Sequence, residues 1–264
     1  MYDQVFNQTI ELLQKFDEVD AIILGGSRAS GKYDSDSDYD LYVYLNNDLS
    51  MEKRKSVLIK TCKYMNLGKS YWGAYWDDCI LNNDISIEFI YENIDNTKQS
   101  LNRALEKHIA SDGFTTCLCY VVFNTIVLYD PKSLYRDMVN QFTMPYPEPL
   151  RKNIISMNRE LLSGMDSSCF NRLETAIKRN DIISINHRLA EFTKYYFDIL
   201  FALNRTFHPG EKRLIELGIE LCEWLPADFE SDFNNLFAVN GNDKTLSIIR
   251  KLLSNLDDLI EKHM

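Results

Sequence analysis

Gly25-Gly26-Ser27 stands a short way ahead of a pair of aspartates, Asp38 and Asp40, and this stretch concentrates the groups in the chain best suited to chemistry. Paired glycines let a backbone take up positive φ and approach phosphate oxygens closely, while successive N–H groups and the Ser27 hydroxyl supply donors. Asp38 and Asp40 are two residues apart, so on a strand both carboxylates point to the same face. Hard oxygen ligands so placed can share magnesium ions. The chemistry this implies is the holding of a metal-bound nucleoside triphosphate between a turn and two carboxylates.

Two other motifs compete for the same residues and fail. Gly26 to Lys32 fits the Gly-x-x-x-x-Gly-Lys part of a P-loop, but Tyr33 follows where a magnesium-binding hydroxyl is needed. A P-loop lysine also opens a helix, whereas Asp34-Ser35-Asp36-Ser37-Asp38 is turn-forming and a poor helix former. A calcium loop built on Asp34, Asp36 and Asp38 would require glycine where Tyr39 stands and a bidentate glutamate where Leu45 stands. A solvated acidic loop is the plain structural alternative for a lone Asp-x-Asp.

Gly25-Gly26-Ser27 followed by Ser37-Asp38-Tyr39-Asp40-Leu41 resembles the signature of the DNA polymerase β-like nucleotidyltransferase superfamily. Gly-Ser-Arg-Ala-x-Gly with Ser-Asp-x-Asp-Leu is similar to its small-molecule branch, which includes the aminoglycoside adenylyltransferases. Farther along, Phe201 to Arg213 resembles bacterial nucleotidyltransferase-like proteins with a helical C-terminal domain labelled DUF4037. The resemblance implies transfer of a nucleoside monophosphate, AMP from ATP or its equivalent from another triphosphate, to a hydroxyl of a small acceptor. An aminoglycoside-like antibiotic is one such acceptor. It further implies two Mg2+ ions on Asp38 and Asp40, with Gly25, Gly26, Ser27 and Arg28 at the nucleotide. The alternative is an antitoxin-type or partner-binding protein that nucleotidylates or binds another protein.

That superfamily pattern asks for a third carboxylate on a later strand. Ile85 to Tyr91 alternates, with Ile85, Ile87 and Phe89 on one face and Ser86 and Glu88 on the other. Glu88 is therefore the candidate third metal ligand and the group that helps remove the acceptor proton. Asp84 shares its parity and is held in reserve, and Asp77 and Asp78 are weaker because the strand phase there is unclear. Tyr71, Trp72, Tyr75 and Trp76 form an aromatic cluster that could stack on a ring or lie in the core. In the resembling transferases the nucleotide lies in a cleft between two domains, which makes Lys212 the candidate phosphate contact from the helical half. Cations such as Lys212 and Arg213 at a helix start oppose the helix dipole and call for an anionic partner.

The elements that must position these groups read as α+β. A helix with Val5, Phe6, Ile10, Leu13 and Phe16 at helical spacing leads into strands around 21–25, 38–45 and 85–91, with helices around 50–66 and 97–110. Residues 117–129 suit either a strand or a buried helix. Met144-Pro145-Tyr146-Pro147-Glu148-Pro149 should be extended and serve as a linker. We therefore expect a mixed-sheet nucleotidyltransferase domain with flanking helices over 1–144. An α-helical bundle domain should fill 145–264, with helices near 149–163, 167–179, 181–204, 211–223, 227–238 and 243–262.

Composition agrees with that picture. A net charge of −10, from 29 basic and 39 acidic residues, is ill-suited to a nucleic-acid backbone and attracts a small cationic acceptor instead. The six cysteines and four histidines are scattered without metal-binding spacing, which suggests free thiols in a reducing compartment. No apolar run reaches membrane-span length and Met1-Tyr2-Asp3-Gln4 does not open a signal peptide, so a cytoplasmic location is expected.

Overall fold

A computed structural model describes residues 3–71, 74–238 and 243–264. Trp72 of the aromatic cluster and the first two residues lie outside the described residues. The chain divides into two compact units, one formed by 1–102 with 121–143 and the other by 103–120 with 144–264.

The first unit opens with α1 (Gln4–Leu13), whose N-terminus is capped by Asp3 accepting the Phe6 N–H at 2.8 Å. It continues through β1 (Val19–Gly25), the single turn α2 (Gly26–Ser30), β2 (Tyr39–Leu45), α3 (Met51–Thr61), β3 (Cys62–Tyr71), β4 (Ala74–Leu81), β5 (Ser86–Glu92) and α4 (Ile94–Leu105). After α5 (Cys117–Phe123) come β6 (Ile126–Tyr129) and α6 (Leu134–Phe142). The strands form one mixed sheet in the order β3-β4-β5-β2-β1-β6, in which only β2 and β5 run parallel.

Alternation along β2 and β5 sends Leu41, Val43, Ile87 and Phe89 to one face, where Phe6, Ile10 and Leu13 of α1 and Val57 and Leu58 of α3 close the core over them. The opposite face carries Asp40, Tyr42 and Tyr44 of β2. Tyr44 lies against Tyr135 of α6 with ring centroids 5.1 Å apart, so this end of the second face is covered.

Three expectations are corrected here. The helix foreseen over 50–66 stops at Thr61, and Cys62–Tyr71 and Ala74–Leu81 are instead the antiparallel strands β3 and β4. The second helix runs over Ile94–Leu105. The ambiguous stretch 117–129 is both, a helix to Phe123 and a strand from Ile126.

The second unit is helical: α7 (Glu148–Arg159) with a π-turn at Glu160–Gly164, α8 (Cys169–Lys178), α9 (Ile182–Leu203), α10 (Leu214–Leu221), α11 (Phe229–Ala238) and α12 (Asp243–His263). α9 is buried on all sides from Tyr195 to Leu203 and packs Tyr196 and Phe197 edge-on or tilted against Phe233 of α11. Asp198 and His208 are among the ionisable groups sealed inside this unit. Asp198 accepts hydrogen bonds from the Thr115 N–H at 3.0 Å, the Thr115 hydroxyl at 2.7 Å and Asn158 Nδ2 at 3.0 Å, yet burial pushes its carboxyl up to about 7. His208, fully buried beside Phe114 and Phe201, is pushed down to about 4 by the same loss of water. No described helix is long and apolar enough to cross a membrane.

Candidate active site

The site is built by strand register. Gly25 at the end of β1 pairs with Asp40 of β2, Asp40 pairs with Glu88 of the parallel β5, and Glu88 pairs with Asp78 of β4. Directly paired residues emerge on the same side of a sheet. Asp40, Glu88 and Asp78 thus form a row across three strands, and Asp38 stands one residue before β2 begins.

The turn leading to this row is held against it. Gly26 has φ +64°, and a Cβ there would overlap the Asp40 carboxylate, so glycine is required both by conformation and by space. Gly25 is extended and buried, and a Cβ on it would stand 2.6 Å from the Tyr42 ring. Its missing side chain makes room for that ring. Ser27 lies within α2, half-buried. Arg28 Nε donates to the carbonyls of Ser37 at 3.1 Å and Asp38 at 2.9 Å, and its Nη2 donates to Ser37 at 2.6 Å.

Tyr42 is the residue that sequence reasoning missed. Burial raises its phenol well above the usual tyrosine range, and the charges of Asp40, Glu92 and Glu88 raise it further. Glu92 shares the parity of Glu88 on β5, and burial raises its own carboxyl. A phenol bordered by three carboxylates marks a strongly negative patch on this half of the sheet. Alternation along Asp38, Asp40 and Tyr42 was the available signal.

The remaining candidates separate cleanly. Asp77 points to the opposite face, fully buried, and holds Arg54 Nη1 at 2.6 and 2.7 Å, the Tyr91 hydroxyl at 2.8 Å and the Gly68 N–H at 2.7 Å. It is a structural anchor. Asp78 stays with Glu88 but is ion-paired to Lys69. Asp84, the reserve, sits at φ 73° in the β4–β5 turn, exposed and paired with Lys63. Tyr75 is 59% exposed, whereas Trp76 pairs with Ile90 on the Glu88 face. Lys212 is exposed and belongs to the other unit, and the anionic partner of Arg213 is Glu216. Beyond the carboxyl ends of β2 and β5 a cavity of about 720 Å³ opens among Asn46, Arg54, Tyr75, Glu92 and Asn96.

Residues 7–104 match the model of the polymerase beta nucleotidyltransferase family. This part of the chain is a nucleotidyltransferase domain. Residues 115–214 match a domain of unknown function, DUF4037. Among solved structures, a nucleotidyltransferase-like protein from Exiguobacterium sibiricum 255-15 is 12% identical with a TM-score of 0.45, over 96% of this chain and 72% of its own. An aminoglycoside 6-adenyltransferase from Bacillus subtilis is 10% identical with a TM-score of 0.32, over 99% of this chain and 92% of its own. The comparison with curated proteins found no match.

The donor set of the nucleotidyltransferase domain suits a hard divalent cation. Asp38, Asp40 and Glu88 offer only carboxylate oxygens, and the glycine turn leaves the space beside Asp40 free of side chain. As the side chains stand, no three acidic, histidine or cysteine groups converge on one point among the described residues. The register gives Asp40 and Glu88 one face.

Proposed function

We propose that this nucleotidyltransferase domain moves a nucleoside monophosphate, AMP from ATP in the first instance, onto a hydroxyl of a small acceptor and releases pyrophosphate. The observation that carries the reading is the pairing of Asp40 with Glu88 across β2 and β5, with Gly26 packed on the Asp40 carboxylate.

Asp38 and Asp40 would hold magnesium, with Glu88 as the third ligand; the bound metal supplies charge neutralisation and a more acidic acceptor hydroxyl. Gly25, Gly26 and Ser27 bring backbone close to the β and γ phosphates. Glu88 takes the proton from the acceptor oxygen as that oxygen attacks the α phosphorus. The bond to the pyrophosphate oxygen breaks as the new P–O bond forms, and the carboxylate row fixes the geometry. The net charge of −10 and the negative patch around Tyr42 favour an acceptor carrying positive charge, such as an aminoglycoside.

The test is incubation of the purified protein with labelled ATP, GTP, CTP and UTP and magnesium, across aminoglycosides, lincosamides and a crude metabolite extract. Label should pass to a small acceptor in wild type and not in Asp40→Asn. Label found only on protein would replace the small-molecule reading with a protein acceptor.

A further inference from the structure

We propose that Arg28 is a positioning residue that fastens the glycine turn to the strand bearing the aspartates, so that one side chain sets the phosphate-binding and metal-binding halves of the site together. This rests on the nucleotidyltransferase reading above. Between Ser27 and Asp38 the sequence is Arg-Ala-Ser-Gly-Lys-Tyr-Asp-Ser-Asp-Ser, with almost nothing apolar to anchor it. A connection of that composition has little to hold it in place by burial.

Polar fastening replaces burial. α2 begins in the glycine turn and ends at Gly31 with φ 76°, where the Lys32 N–H returns to the Ser27 carbonyl at 3.0 Å. The far part of the loop closes on itself. Asp34 Oδ1 accepts the Asp36 N–H at 3.0 Å and the Ser37 hydroxyl at 2.8 Å, and the Asp34 N–H donates to Ser37 Oγ at 3.0 Å. Arg28 joins these two closed pieces, spending Nε and Nη2 on the carbonyls of Ser37 and Asp38. Its guanidinium lies 4.2 Å from the Tyr39 ring centroid and 5.1 Å from that of Tyr33. Tyr39 is itself fixed, stacked on Phe6 at 4.1 Å and donating its hydroxyl to Asp3 at 2.8 Å.

Only a planar fork meets these demands. Lysine keeps the charge but cannot reach two carbonyls while stacking between two rings. Arg28 thereby acts on Asp38 and Asp40 through the backbone that carries them. Groups that orient metal ligands typically change metal affinity 10- to 100-fold when removed.

The deciding experiment measures Mn2+ binding by electron paramagnetic resonance, with and without a non-hydrolysable ATP analogue, in wild type, Arg28→Lys and Arg28→Met. Amide exchange of residues 37–40 is followed in parallel. Both variants should bind Mn2+ roughly tenfold or more weakly, with faster exchange at 37–40. If Arg28→Met loses global stability, Arg28→Lys decides the matter alone. The inference is overturned if Arg28→Lys binds Mn2+ like wild type, or if the loss appears only with nucleotide and grows from the mono- to the triphosphate analogue. Those outcomes describe a direct phosphate contact. Wild type that binds no Mn2+ with nucleotide overturns the nucleotidyltransferase reading, and the positioning role with it.

Discussion

Asp40 is set by neighbours on both sides, a glycine that makes room for its carboxylate and a glutamate that repels it. Like charges directly opposed across strands destabilise a sheet. Asp40→Asn should therefore remove nucleotide transfer while leaving the metal-free protein as stable as wild type or slightly more so, as thermal unfolding in chelator would show. Gly26→Val pushes a side chain into Asp40 at a backbone angle that costs β-branched residues about 1–3 kcal/mol. Urea unfolding should register that loss and calorimetry a weaker triphosphate affinity; unchanged values for both would mean the turn neither strains nor touches the ligand. Glu88→Gln should lower turnover roughly a hundredfold or more with little change in nucleotide affinity if it removes the acceptor proton. Full transfer by that variant at neutral pH would leave the proton to another group. The common face of Asp40 and Glu88 was legible because both strands alternate, and the glycine turn because its composition is local. The nearness of Tyr42 to Glu88 and Glu92, and of Asp78 to Glu88, was not, since those neighbours come from strands that meet only in the folded sheet.

The hairpin of β3 and β4 was invisible for a reason that belongs to the element. β3 is an edge strand, paired only with β4, and Lys63, Tyr64, Asn66 and Ser70 lie exposed along it. Its polar residues continue the helical pattern of α3 without a break in composition, so the sequence shows no boundary at Thr61. What pins the hairpin is the buried ion pair of Asp77 with Arg54, which links β4 to α3. Removing one partner of such a pair strands a charge in the core, so Asp77→Ala should cost about 3–5 kcal/mol in urea unfolding. An apolar pair in its place, Asp77→Leu with Arg54→Met, should recover most of that loss. If Asp77→Ala unfolds like wild type, the hairpin is held by its ladder alone. The helices of the second unit, by contrast, were readable almost throughout, because their apolar faces recur at helical spacing and prolines mark the start of α7.

At the scale of the whole molecule, two of the ionisable groups sealed in the helical unit, Asp198 and His208, pull stability in opposite directions. Asp198 titrates at about 7 in the fold and near 3.9 when unfolded, so between these values the native state holds the extra proton and stability falls as pH rises. His208 titrates at about 4 in the fold and near 6.5 when unfolded, so over nearly the same window stability rises with pH. Wild type should show a shallow profile between pH 4 and pH 7, set by the two values. Asp198→Asn should expose the rising slope in urea midpoints measured across that window, and a flat profile in the variant would show that His208 is not held neutral by burial. Neither compact unit, finally, is one continuous run of chain, since 103–120 belongs with the second while 121–143 returns to the first. During synthesis β1 leaves the ribosome long before β6, the strand that completes its outer edge. Until then the nascent chain carries a strand that is apolar but for Asp20, with a row of unpaired amides, which makes an intermediate open to misplaced strand pairing and a client for chaperones.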